Sequence, residues 1–169
     1  LIILGIDTAI RCTGYGVIDM RSLNDMSILD CGVIKNKPKM LHSECLRRIA
    51  GGIRELIDSY SPDVASIENV FMSRNVKTAM ILSMARGAAI ATLADMGISV
   101  HAYSPKSAKR SAVGNGQASK QQVATMIASI FSIDIAEIPD DSTDALALAM
   151  CHGQIAMRPE LNEIMSKPI

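Results

Sequence analysis

The sequence predicts one α/β domain built on a five-stranded mixed sheet with helices on its faces. Three observations lead there. Two short apolar runs, IILGID (Ile2 to Asp7) and DVASIE (Asp63 to Glu68), read as strands buried on both faces. Helical spacing of apolar residues separates these runs from each other and from a third, ISVHAY (Ile98 to Tyr103), so the three strands lie parallel. Two further strands follow the first through short turns, which makes an antiparallel meander on one side of the sheet.

Each element has its own signal. CTGYGVIDM (Cys12 to Met20) alternates after a tight turn, and MSILDCGVIKN (Met26 to Asn36) follows, with Asn24-Asp25 as the hairpin turn. Lys37-Pro38 breaks the pattern. Leu41, Cys45, Leu46, Ile49, Ile53, Leu56 and Ile57 then recur at helical spacing, and that helix ends near Ser59, ahead of Ser61-Pro62. A second helix runs from Asn75 to Met96 and is closed by Gly97. It is apolar nearly all round, which places it in the core or against another chain. After the fifth strand, Pro105 opens a short helix and VGNGQ forms a loop. Val123, Met126, Ile127 and Ile130 mark an amphipathic helix, and the last helix starts at Asp140 or Asp141 and runs to about Met157. Residues 1–157 make the domain, and 158–169 form a flexible, loosely held tail.

Composition narrows the class. Apolar residues are 49% of the 169, too many for a disordered chain. No run of eighteen apolar residues and no signal-peptide pattern is present, so the expectation is a cytoplasmic protein that does not enter a membrane. The four cysteines are scattered without a CxxC pair and read as free thiols. Lys plus Arg equal Asp plus Glu at 17 each, so no global basic footprint marks a nucleic-acid binder.

Four acids stand out by context. Asp7 and Glu68 each end a buried strand at the C-terminal edge of the parallel part of the sheet, where ligands of open α/β sheets bind. Asp141 and Asp144 lie three apart in the first turn of the last helix, on one face, where the helix dipole favours negative charge. Taken singly, Asp140 or Asp141 is an ordinary N-cap, Glu68 a solvated strand end and Asp7 a turn former. Taken together, four carboxylates at one edge repel and raise one another's pKa, and divalent cations with a preference for oxygen relieve that repulsion. A pair of such ions can hydrolyse a phosphodiester.

The motifs ILGIDT…TGYGVI, IENVFMSRN, ARGAAIA, KRSAVGNGQASKQQV and DDSTDALALAMCH occur in this order over residues 2 to 155. Together they resemble the RuvC-type Holliday-junction resolvases of the RNase H-like nuclease superfamily. The first strand and its Asp are also found in sugar-kinase and actin-like ATPases, which need a second lobe for which 169 residues leave little room.

The resemblance implies an RNase H-like fold and a homodimeric endonuclease that nicks four-way DNA junctions symmetrically with Mg²⁺, two ions per site, Mn²⁺ substituting. It implies that Asp7, Glu68, Asp141 and Asp144 are the catalytic metal ligands. It places Phe71 near the junction crossover, makes Lys109 and Lys120 holders of the phosphate backbone, and puts the dimer interface on the helix from Asn75 to Met96. A branch-migration motor complex is the implied partner. Arg74, Lys77, Lys106 and Arg110 are further candidates for the DNA-facing surface. Without the four acids, 17 basic residues face 13 acidic ones, a balance of +4. One departure is visible: Thr8-Ala9 stands where the family usually has Pro-Gly. A non-catalytic junction-binding module and an RNA-cutting relative are the alternatives, the first opposed by the intact set of acids.

Overall fold

The computed structural model describes residues 1–69, 75–134, 136, 138–158, 160 and 167–169. Its elements in order are β1 (Ile2–Asp7), β2 (Cys12–Ser22), β3 (Asp25–Lys35), α1 (His42–Tyr60), β4 (Val64–Glu68), α2 (Val76–Asp95), β5 (Ser99–Tyr103), α3 (Pro105–Val113), α4 (Lys120–Phe131) and α5 (Asp140–Ala156). The sheet order is β3-β2-β1-β4-β5. β1 pairs antiparallel with β2 and β2 with β3, while β1, β4 and β5 run parallel. The meander and the parallel half both stand as the sequence predicts. The hairpin turn falls one residue early, on Leu23-Asn24, because a register shift between Met20 and Ser22 lets Asp25 pair with Ser22.

The period of two along each strand divides the core into two layers. Ile3, Ile18, Met20, Val64 and Tyr103 pack under α3, α4 and α5. Leu4, Ile6, Val17, Ala65, Ile67 and Val100 pack under α1 and α2. α5 is buried almost throughout, from Ser142 to Gly153, and lies across the middle strands. Near its far end His152 is hydrogen-bonded through Nδ1 to the Tyr103 hydroxyl at 2.8 Å, and its ring lies 4.6 Å from that of His101, tilted by 50°, all three buried.

α2 resolves the choice left open by its composition. Ala85, Ala89, Thr92 and Leu93 are buried against α1 and the sheet, but Val76, Met80, Leu82 and Met84 are exposed. Among the described residues it is the one helix long and apolar enough to meet the requirement for crossing a membrane. At the other end of the chain, the Ile169 N–H donates to Val100 O at 2.9 Å and Pro168 bridges to His101, so residues 167–169 lie along the free edge of β5.

Candidate active site

On β1 the residues facing α5 are Ile3, Gly5 and Asp7; on β4 they are Val64, Ser66 and Glu68. Both carboxylates therefore emerge on the α5 side, at the C-terminal ends of neighbouring parallel strands. α5 brings the other two. Its N-cap is Pro139, whose carbonyl accepts from both the Ser142 N–H (2.9 Å) and the Ser142 hydroxyl (2.6 Å). Neither Asp140 nor Asp141 is spent on capping. Glycines let the helix come this close: a Cβ at Gly14 would overlap the Asp141 carbonyl, and one at Gly5 the Ala145 carbonyl. The backbone of α5 thus rests directly on β1 and β2.

A 340 Å³ cleft opens at this edge, lined by Asp7, Glu68, Lys109, Lys120 and Asp144 over a floor of Ala147 and Leu148. A smaller one of 170 Å³ adjoins it and holds Asp141 beside Lys120 and Asp144. Lys120 Nζ stands 2.8 Å from Asp144 Oδ2, and the Cys12 thiol donates to Asp141 Oδ2 at 2.7 Å. Burial, then the charge of Asp144, pushes Asp7 up to about 6. Burial, then Asp7 and Asp144, pushes Glu68 up to about 7. Lys120 opposes both shifts and is itself raised by its hydrogen bond to Asp144. The edge is short of positive charge, and Lys120 supplies part of it.

The remaining sequence candidates divide. Lys109 lines the cleft, and its Nζ donates to Ala118 O at 2.9 Å, tying α3 to the approach of α4. Lys106, Lys77 and Arg110 are exposed. Phe71 and Arg74 lie outside the described residues. The turn carrying Thr8-Ala9 is held from inside: the buried Thr13 hydroxyl donates to Ala9 O at 2.8 Å. Two contributors escape sequence reasoning. Cys12 reaches Asp141 only because α5 crosses β2. Arg86 donates through Nε to Glu68 O at 3.1 Å and so holds the end of β4; its one signal was an arginine inside an otherwise apolar helix segment.

The donor set fits a hard divalent cation. It consists of carboxylates alone, two of them raised by burial and then by neighbouring carboxylates, a repulsion that a cation would relieve. Among the described residues no three Asp, Glu, His or Cys side chains are already closed around a metal-sized point. Lys120 and Cys12 each hold one acid of α5.

With four acids on one sheet edge, comparison with known proteins becomes informative. Residues 3–152 match the family described as Crossover junction endodeoxyribonuclease RuvC. The chain belongs to the RuvC family. Relatives bearing that description include a protein of Solidesulfovibrio magneticus, 43% identical over 151 residues, 89% of this chain and 88% of the relative. One from Alkaliphilus metalliredigens is 40% identical over 153 residues, 90% of this chain and 93% of the relative. Among solved structures, T. thermophilus RuvC in complex with a Holliday junction substrate superposes with a TM-score of 0.89 at 28% identity, covering 100% of this chain and 99% of that one. The yeast mitochondrial Holliday junction resolvase Ydc2 shares the fold, with a TM-score of 0.60 at 14% identity over 90% of this chain and 78% of its own. The RNase H-like fold expected from the motifs is that of these RuvC structures.

Proposed function

We propose that this chain cuts four-way DNA junctions by paired, symmetric, metal-dependent nicks, with Asp7, Glu68, Asp141 and Asp144 as its catalytic acids. One observation carries the reading: acids from β1, β4 and α5 meet on one cleft edge at which Asp7 and Glu68 are pushed toward neutrality. A pure binder gains nothing from such charge facing DNA. Two Mg²⁺ ions, or Mn²⁺ in their place, would be held by Asp7, Glu68, Asp141 and Asp144 and would supply activation of a water and charge stabilisation for the leaving oxygen of a phosphodiester.

The protein's own part is to place and free the groups. Asp7 and Glu68 sit on rigid strand ends, the second pinned by Arg86. Asp144 becomes available when Lys120 leaves it, and the freed ammonium is then placed to hold the scissile phosphate. Lys109 keeps α3 against the α4 approach while its charge faces the same cleft. The exposed apolar stretch of α2 fits a second copy of the chain, whose two clefts would act on opposite strands of one junction. A branch-migration motor would deliver that junction, with chromosomal DNA, in the cytoplasm.

The deciding experiment uses a labelled synthetic four-way junction and a matched linear duplex, each with Mg²⁺ and with EDTA. Symmetric nicks are expected in the junction alone and should vanish in EDTA. Asp7→Asn should lose at least 10²-fold in cutting while binding the junction as well or better, because one charge repelling phosphate is gone. Wild-type cutting rates in Asp7→Asn would sink the metal-site assignment. Tight binding with no nicks in either metal would favour the binding-module alternative.

A further inference from the structure

The net charge of the chain is zero, yet its cations are not spread evenly. Between Lys35 and Arg48 stand five basic residues, Lys35, Lys37, Lys39, Arg47 and Arg48, against the single acid Glu44. This run is the corner where β3 passes into α1, and the sheet register fixes where it lies. Lys35 pairs with Cys12, whose thiol touches Asp141. The corner therefore begins on the same sheet edge as the acids, two strands from β1. Two strand spacings are about 10 Å. Lys35 also lies two residues beyond Gly14, the partner of Asp7, along the strand direction, so the corner starts on the order of 12 Å from the end of β1.

The corner is built as a platform. Arg11 Nη1, from the β1–β2 turn, donates to Lys37 O at 2.7 Å and to Met40 O at 3.0 Å. Arg48 donates to Asn36 Oδ1 at 3.1 Å, and the buried Asn36 amide donates to Ile10 O at 2.8 Å. Arg11 and Arg48 are thus consumed in holding the backbone. Lys35, Lys37, Lys39 and Arg47 are exposed, and none of them forms an ion pair among the described residues. The acids within reach are few: Glu44 lies one helical turn before Arg47 and Arg48, Asp30 accepts from the Tyr15 hydroxyl, and Glu55 lies two helical turns along α1 from Arg48. The 610 Å³ cleft beneath the corner is lined by Asp30 and Glu55 as well as by Lys35, Arg47 and Arg48, so its interior is no phosphate site; Lys37 and Lys39 lie outside it.

We propose that the β3–α1 corner is a second phosphate clamp. It grips a duplex arm of the junction a few nucleotides from the scissile phosphate, on the side of the cleft away from α2. The side follows from the packing: α1 lies against β3, and α2 against β5 at the opposite edge. The proposal rests on the nuclease reading above, because it takes the Asp7 edge as the place where the scissile phosphate sits. It adds a contact that none of the motifs indicated, and it shows how a chain of zero net charge can hold DNA: its cations are gathered where the strand runs.

The test is fluorescence anisotropy of a labelled four-way junction in the Asp7→Asn background, titrated at several salt concentrations. The comparison is with a form that also carries Lys35→Gln, Lys37→Gln, Lys39→Gln and Arg47→Gln. All four are exposed, and the thermal midpoint checks that the fold is kept. Losing four phosphate contacts should lower the slope of log affinity against log salt by about 3 to 4 and weaken binding tenfold or more near physiological salt. Uncharged methylphosphonates placed in turn about two to four nucleotides from the scissile position should weaken binding by the unmodified corner at one of those positions and leave the glutamine form unaffected. Equal salt slopes, or an equal methylphosphonate effect in both proteins, overturn the clamp while tight junction binding leaves the nuclease reading in place. Failure of the Asp7→Asn protein itself to bind the junction overturns both.

Discussion

Asp141 and Cys12 are 129 positions apart and share one hydrogen bond. Burial, together with that bond, holds the Cys12 thiol up to about 11, so little thiolate exists at neutral pH. Replacing Asp141 by Asn removes the negative neighbour and the charged acceptor. Alkylation of Cys12 by iodoacetamide at pH 8, followed by mass spectrometry, should therefore run severalfold faster in Asp141→Asn than in the parent protein. Equal rates would mean that the thiol does not sit on that carboxylate. Asp7 and Glu68 were legible as a pair at this scale, because the strand period sends both to the same side of the sheet. The thiol and the Lys120 ammonium were not, since their acids come from an element that local pattern cannot place.

α5 depends on what is missing beneath it. Gly14 has a neighbour, the Asp141 carbonyl, exactly where a side chain would begin. Gly14→Ala should push the start of the helix off β2, cost about 1–3 kcal/mol in a urea melt and lower junction cutting further than the lost stability explains. An unchanged melt and unchanged cutting would show that the close approach is not needed. α2 shows the converse, an element with more apolar surface than its own chain covers. Met80, 63% exposed, should be a centre of self-association. On the proposed pairing through α2, Met80→Lys should shift the protein from dimer to monomer in sedimentation velocity and cost little stability in the monomer. A dimer that survives the change places the interface elsewhere. The helix period exposed the apolar excess of α2, but only packing against α1 revealed which residues stay outside.

For the molecule as a whole, the His101–Tyr103–His152 group links β5 to α5 and makes stability depend on pH. Burial, then the neighbouring His101, drives His152 down to about 4. The unfolded chain therefore binds a proton that the folded one refuses between about pH 6.5 and 4. The stabilisation is fully present above pH 6.5 and is lost as pH falls through that window, up to about 3 kcal/mol. Asp7 and Glu68 act with the opposite sign over an overlapping range, since their folded values are raised. Comparing urea melts of the parent and His152→Gln from pH 7 to 4 isolates the histidine: the parent should lose more. Parallel curves would remove His152 from the account.

The sequence by itself determined the antiparallel meander, the parallel direction of β1, β4 and β5 and the sheet edge to which Asp7 and Glu68 go. Those follow from periods of two and 3.6 and from connection length, all local quantities. Tertiary structure decided the rest. Pro139 rather than an aspartate caps α5, because the helix is seated by glycines on other strands. Lys120 and Cys12 take up the α5 acids because α4 and β2 meet that helix from opposite sides. The gathering of Lys35, Lys37, Lys39 and Arg47 beside those acids comes from strand register. Electrostatics acts through space, and a charge's neighbours are set by packing rather than by its place in the chain.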